Sequence, residues 1–409
     1  MNAPDSPDSP DPSNLPDPPN PPTTDYDRLA DALAANDADA FVHVGDRFDD
    51  LLRYLTRFGG PDRAYAFVYA DGDAHLCAPS LFAEQAEREF PGESVHAASE
   101  QVSSDAAERA LEVLGGREDG PDVSTDDCRV VVPPTVSTAT KETLAGGVGE
   151  LRTEAVDVGR ARKADAERAC HAFVQRAAQR GMARAEAVLS AAELDSDEVR
   201  WRGDLLTTER LRRAVNATLS RWGVTDAGNS VIGAGPTCAD LHFTGEDVIR
   251  PGETVLLDLS PRGPHGYYAD LTRTFVLGEA DEWATTAYEA VLEAQDAALA
   301  VLEGGAGTRG EAAHDAATDV LAEYGFDAGD VDVGMYHGLG HGVGVSLHEG
   351  PSLAGDEVLE AGNVVTVEPG VYDPEVGGVR IEDLVVITGE GYRNLTDYPR
   401  EMVPGRWRE

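Results

Sequence analysis

Two stretches of this chain each carry a pair of carboxylates on strand-like sequence, and few folds can bury such pairs together. In the first, VLLDLSPRGPHGYYADLTRTF at 255–275, an apolar β-type run ends at a Pro- and Gly-rich turn and then returns. That pattern predicts Asp258 and Asp270 facing each other across an antiparallel hairpin, where opposed positions lie about 4.5–5.5 Å apart. In the second, VVTVEPGVYDPEVGGVRIEDLVVI at 364–387, Glu368 and Glu382 fall on two strands joined by a loop, and GLGHGVG with His341 precedes them. Carboxylates buried at this density stay ionised only beside cations. Two divalent ions about 3.5–4 Å apart would satisfy them. Asp258, Asp270, His341, Glu368 and Glu382 are therefore the expected metal ligands.

Length and pattern divide the rest of the chain. At 409 residues it exceeds one ordinary core. Residues 1–25 hold nine of the 24 prolines among Asp, Ser and Asn, a composition that predicts a disordered tail. From 26 to 156 an α/β domain is expected. YDRLADALAAND reads as an amphipathic helix, ADAFVHVG and AYAFVYADGDAHLCAP as buried strands, and SDAAERALEVLGG as a helix, with an acidic loop at 117–127 before a strand at RVVVPP. A catalytic domain is expected over 157–409. It opens with a long helix near 164–193 and a second one capped at Thr207, Thr208 and Glu209. Helices at 282–303 and 310–324 then separate the two carboxylate hairpins. Two helix-and-hairpin halves suggest an internal pseudo-symmetry.

Charge constrains the partners. Acids exceed bases by 75 to 33, and only Asp5, Asp8, Asp11, Asp17 and Asp25 of those acids lie in the tail. Lys141 and Lys163 are the two lysines, so arginine supplies nearly all the fixed positive charge. Such a surface repels itself unless salt screens it, which points to a salt-loving source. No basic stripe exists to neutralise phosphates, so nucleic acid is not an expected partner. Neither is a membrane, because no run of 18 apolar residues occurs and the start lacks the features of a secretory signal. A cytoplasmic location is expected. Cys77, Cys128, Cys170 and Cys238 are widely spaced and expected to be reduced. His43, His75 and His96 read as structural or surface residues, and His171, His265 and His314 as surface residues.

At the five ligand positions the sequence resembles the pita-bread metallopeptidases, the family of methionine aminopeptidase, Xaa-Pro aminopeptidase and Xaa-Pro dipeptidase (prolidase). The resemblance covers roughly residues 27–400. It implies an α/β amino-terminal domain plus an α+β pita-bread (creatinase/aminopeptidase) catalytic domain with a curved, mainly antiparallel sheet. Within it Asp258 resembles the ligand of one metal, His341 and Glu368 ligands of the other, and Asp270 and Glu382 the bridges. The cofactors implied are two divalent ions, manganese first, with cobalt, iron or zinc as alternatives; an oxygen-rich set with one imidazole suits such metals. His242, His337 and His348 match substrate-facing histidines, Arg380 an arginine that would hold Glu382, and Glu368 the proton carrier. Three departures accompany the match: Leu241 precedes His242 where the family usually has proline, the interval from Asp258 to Asp270 is 12 positions, one longer than usual, and that from His242 to Asp258 is 16, about one shorter. A separate amino-terminal domain and the YLTRF stretch favour the Xaa-Pro branch, with a homodimer implied. Two other readings are a creatinase-like or ectoine-hydrolase-like small-amide hydrolase and a non-catalytic peptide-binding module.

Overall fold

A computed structural model describes residues 15–98, 105–115, 125 and 127–405. The tail residues 1–14, and all of the 117–127 acidic loop except Thr125 and Asp127, lie outside the described residues. The chain divides into two compact units, residues 21–160 and residues 161–409 taken with those up to Asn20.

In the smaller unit the elements run α1 (Asp27–Ala35), β1 (Ala40–Gly45), α2 (Asp50–Thr56), β2 (Tyr65–Ala70), β3 (Asp73–Ala78), α3 (Ala83–Glu89), β4 (Ser94–Ala97), α4 (Ala106–Leu114), β5 (Arg129–Val132), α5 (Thr138–Ala145) and β6 (Glu150–Thr153). One six-stranded sheet results, ordered β4-β3-β2-β1-β5-β6, antiparallel along β1-β2-β3 and parallel at both margins. β2 is buried at all six positions, as its uninterrupted apolar run requires. Residues 21–25 form neither helix nor strand, yet they are held: Thr24 Oγ1 donates to the Tyr54 carbonyl at 2.7 Å and accepts from Arg57 Nε at 2.7 Å. Hydroxyl and carbonyl groups supply here the anchorage that an apolar core would otherwise give. His43 is buried against Asp49 at 2.8 Å, and Ser94 bridges His75 and His96, each at 2.8 Å.

The larger unit begins with α6 (Asp165–Ser190), a ribbon of β7 (Glu193–Asp195), β8 (Glu198–Trp201) and β9 (Asp204–Leu205), and α7 (Thr208–Arg221), whose amino terminus is capped by Thr207. Next come β10 (Ser230–Ala234), β11 (Thr254–Leu259) and β12 (Thr272–Val276), an antiparallel sheet in that order. Two more helices follow, α8 (Glu282–Leu302) and α9 (Gly310–Glu323). The remaining strands are β13 (His341–Gly342), β14 (Glu349–Ser352), β15 (Val364–Val367), β16 (Gly370–Asp373), β17 (Gly377–Arg380), β18 (Asp383–Thr388) and β19 (Gly391–Asn394). They form a sheet ordered β14-β13-β15-β18-β19 and a separate β16-β17 ribbon.

Each half of this unit has its own core. Along α6 the buried Val174, Ala178, Met182, Ala185 and Leu189 recur at three- and four-residue steps and meet α7 and β10–β12. Gly181 lets the helices approach, since a Cβ there would stand 3.0 Å from Leu219. The second core joins α8 and α9 to β15–β18 through Val291, Ala298, Leu321, Val365 and Val385. Full burial of each such aliphatic side chain contributes about 1.5–3 kcal/mol. Arg273, itself fully buried, bolts one half to the other. Its guanidinium donates to the carbonyls of Thr272, Glu382, Tyr398 and Pro399 at 2.7–2.8 Å and to Asp383 at 2.9 Å.

Candidate metal centre

The ligand hairpins differ from expectation in register. Asp258, on β11, pairs with Thr272, while Asp270 lies two residues ahead of β12. The longer interval between the aspartates is taken up by an irregular turn, in which Arg262 bridges both Thr225 and Tyr268. Asp270 and Thr272 still share a strand face, so Asp270 remains diagonal to Asp258. Its backbone is fixed by Gln175 of α6, which accepts from Asp270 N at 3.1 Å and donates to Asp270 O at 2.7 Å.

Glu368 and Glu382 likewise sit at junctions and not within strands. Glu368 follows β15 where the hairpin leaves one ladder for the β16-β17 ribbon, and Glu382 separates β17 from β18. Glu368 N donates to Leu339 O at 2.9 Å and Glu382 N to Thr272 O at 3.1 Å. Breaking the ladder frees these amides to bind neighbouring segments, which turns both carboxylates toward the first hairpin.

Asp258, Asp270 and Glu382 each offer an oxygen within 4.8 Å of the others. His341 Nε2 lies 3.8 Å from Asp270 and 3.3 Å from Glu368, so Asp270 belongs to both groups. The His341 Nδ1 contact with Gly342 O, at 3.0 Å, makes Nδ1 the donor and leaves Nε2 a bare acceptor. Burial, the dominant cause, holds this imidazole down to about 4, hence neutral. A lone pair aimed at carboxylate oxygens is repulsive unless a cation stands between them. The carboxylates point the same way: burial first, then mutual repulsion, pushes Asp270 and Glu382 well above the usual range and Glu368 up to about 7. These residues fit divalent cations, and Asp258, Asp270, His341, Glu368 and Glu382 could hold them.

Polar neighbours orient this set. Ser260 Oγ donates to Asp270 at 2.9 Å and Thr366 Oγ1 to Glu368 at 3.1 Å. Thr272 Oγ1 donates to Glu382 at 2.7 Å and accepts from Arg380 Nε at 3.1 Å. Arg380 hydrogen-bonds Asp258 directly, at 2.6 Å, and lies 3.9 Å from Glu368; it meets Glu382 through the Thr272 hydroxyl and by its charge, which favours the ionised carboxylate. Its remaining arm donates to the Tyr372 hydroxyl at 3.0 Å, which lies 2.8 Å from His337 Nε2. Ser260, Thr272 and Thr366 each stand two residues from a ligand. That is one strand period, and polar residues at that offset were the available signal. Gln175 and Tyr372 offered none, because their contacts are made across the fold.

The three histidines expected to face substrate are placed differently. His348 is exposed, with its ring centroid 4.2 Å from that of His341. His337 is half-buried, and His242 is exposed near enough for its charge to act on His348. Of the other three, the surface reading fails for one. His171 is fully buried, with Nδ1 2.9 Å from Tyr268 O, while His265 and His314 are half-buried. Cys77, Cys128, Cys170 and Cys238 are buried, free thiols.

Fold and site together define a pita-bread protein built around a carboxylate-rich cation site. The chain belongs to metallopeptidase family M24, matched over residues 159–389. An Xaa-Pro dipeptidase of Pyrococcus furiosus is 39% identical over 178 residues, 43% of this chain and 49% of that protein. The chain thus spans about half the length of the curated relatives it matches. Among solved structures, the prolidase from Pyrococcus horikoshii OT3 superposes with a TM-score of 0.76 at 25% identity, covering 92% of this chain and 99% of the other. The Xaa-Pro dipeptidase from Bacillus anthracis gives 0.77 at 26%, covering 92% and 98%.

Proposed function

We propose that this protein hydrolyses the peptide bond before proline in Xaa-Pro dipeptides or peptides. Asp258, Asp270, His341, Glu368 and Glu382 would hold two divalent cations, manganese first. The observation that carries the reading is the bare His341 Nε2 facing Asp270 and Glu368, together with the Xaa-Pro specificity named for relatives on both comparisons. Divalent cations bound there supply Lewis acidity, polarising a carbonyl and making water acidic enough to react near neutral pH.

The chain's own residues do the rest. Glu368 accepts a proton from the attacking water and delivers it to the departing nitrogen. A bond before proline has no N–H, so that tertiary nitrogen must be protonated to leave. His348, on the open flank of His341, donates to the oxygen on which charge develops. His337, kept neutral and hydrogen-bonded to Tyr372, and His242 contact the substrate. Arg380 holds Asp258 in place. A cytoplasmic homodimer from a high-salt organism completes the proposal, supported by the net charge of −42 and the family resemblance.

The test is hydrolysis of Ala-Pro, Gly-Pro and longer Xaa-Pro peptides in about 2 M potassium chloride with manganese, where screening is strongest. Activity on the dipeptides alone marks a dipeptidase. Asp270→Ala should lose metal and turnover together. Equal cleavage of Ala-Ala and Ala-Pro, or two metals retained in Asp270→Ala, would refute the reading.

A further inference from the structure

Resting on that hydrolytic reading, we propose that a buried ion pair between Lys163 and Glu349 is the device that positions His348. Lys163 lies just ahead of α6, and its Nζ donates to Glu349 Oε1 at 2.6 Å, with the two side chains 1% and 5% exposed. Both ends of the contact are anchored. Lys163 N donates to Gly362 O at 2.8 Å and Asn363 Nδ2 to Ala161 O at 3.0 Å, tying this segment to the start of β15. Glu349 opens β14 immediately after His348, and its carboxylate fills the inside of the preceding turn. A Cβ on Gly344 would lie 2.3 Å from Oε1. The turn is closed by Gly344 N donating to Ser346 O, and joined to the first ligand hairpin by Tyr268 N donating to Gly344 O, both at 2.9 Å.

An exposed imidazole takes its place from its backbone. The residue after His348 is held by a charge that cannot leave without stranding its partner in the interior, and consecutive Cα atoms are only about 3.8 Å apart. The pair therefore has one geometry, and His348 inherits it. A compact ammonium suits the space behind the turn better than a planar guanidinium does, and 163 is one of only two positions where this chain uses lysine. Lys163 touches no ligand; because Glu349 also pairs with Gly342 beside His341, unchanged metal content is what assigns its action to His348.

A double-mutant cycle on the metal-loaded, full-length protein tests this. Lys163→Met should lower kcat for Ala-Pro at least about tenfold with little change in KM, the scale expected when a reacting group is misplaced. Metal content should stay at the wild-type value. In a His348→Ala background the same change should cost less than about twofold, the signature of two residues acting as one. Lys163→Met/Glu349→Leu replaces the pair with apolar groups and stands in if the single variant does not fold. Undiminished kcat, or an equal loss with and without His348, overturns the proposal. So does a crystal structure of either variant with His348 still against His341, an outcome independent of substrate. A wild type inactive on Xaa-Pro peptides rejects the hydrolytic reading instead.

Discussion

Replacing Thr272 by valine keeps the shape of a fully buried side chain and removes one hydroxyl. That hydroxyl donates to Glu382 at 2.7 Å and accepts from Arg380 at 3.1 Å, so its loss leaves a carboxylate oxygen and a guanidinium N–H unsatisfied. Each such group costs about 1–3 kcal/mol, giving roughly 2–6 kcal/mol for the pair. At about 2–4 °C per kcal/mol for a domain of this size, the metal-saturated protein should melt about 4–24 °C lower. Loss of a group that orients a ligand also weakens metal binding by about 10- to 100-fold. Calorimetric melting in high salt and titration with manganese read the two effects separately. Thr272→Ser retains the hydroxyl and should cost only the lost methyl, about 1 kcal/mol. A valine variant that melts and binds metal like wild type would refute the assignment of Thr272 as the link between Arg380 and Glu382.

Two further outcomes follow from charge. Net charge of −42 predicts a rising melting temperature between about 0.1 and 2 M potassium chloride as repulsion is screened, and a flat or falling curve would contradict salt adaptation. For pH, the carboxyls of Asp270, Glu368 and Glu382 are raised in the metal-free fold, so that fold binds more protons than the unfolded chain and loses stability as they are removed. His171, His337 and His341, depressed by burial, act oppositely but only below their unfolded value of about 6.5. The metal-free protein should therefore melt lower as pH rises from about 6.5 to 8, while metal affinity increases over the same window. A metal-free midpoint that climbs with pH there would show that these carboxyls are not raised.

The helices α1, α4, α6, α7, α8 and α9 and both ligand hairpins were legible because apolar periodicity and turn residues are local signals. The five expected ligands converge for the same reason, since carboxylates on buried strands have few alternatives. Register was not legible. A 12-position interval permits Asp258 to oppose Asp270, and only the contacts of Arg262 with Thr225 and Tyr268 decide otherwise. The resemblance pairs Arg380 with Glu382, and the fold adds a direct hydrogen bond to Asp258 from 122 residues away, which no local pattern announces. His171 could have been read correctly. It sits on α6 beside Cys170 and one turn from Val174, on the buried face, and that spacing outweighs the polarity of a lone histidine. Lys163 and Glu349 carry no such pattern, being 186 positions apart.

Because the cation site draws on both halves of the larger unit, its completion is an event in time as well as space. The ribosome releases Asp258 and Asp270 more than a hundred residues before Glu382, an interval of about 6–25 s at ordinary elongation rates. During that delay the nascent chain exposes two aspartates with neither the imidazole nor the glutamates that complete the set. Arg273 has to wait too, since most of its acceptors lie beyond residue 381. The complete set of ligands therefore exists only at the end of synthesis, and chains cut short before Glu382 should lack a complete cation site.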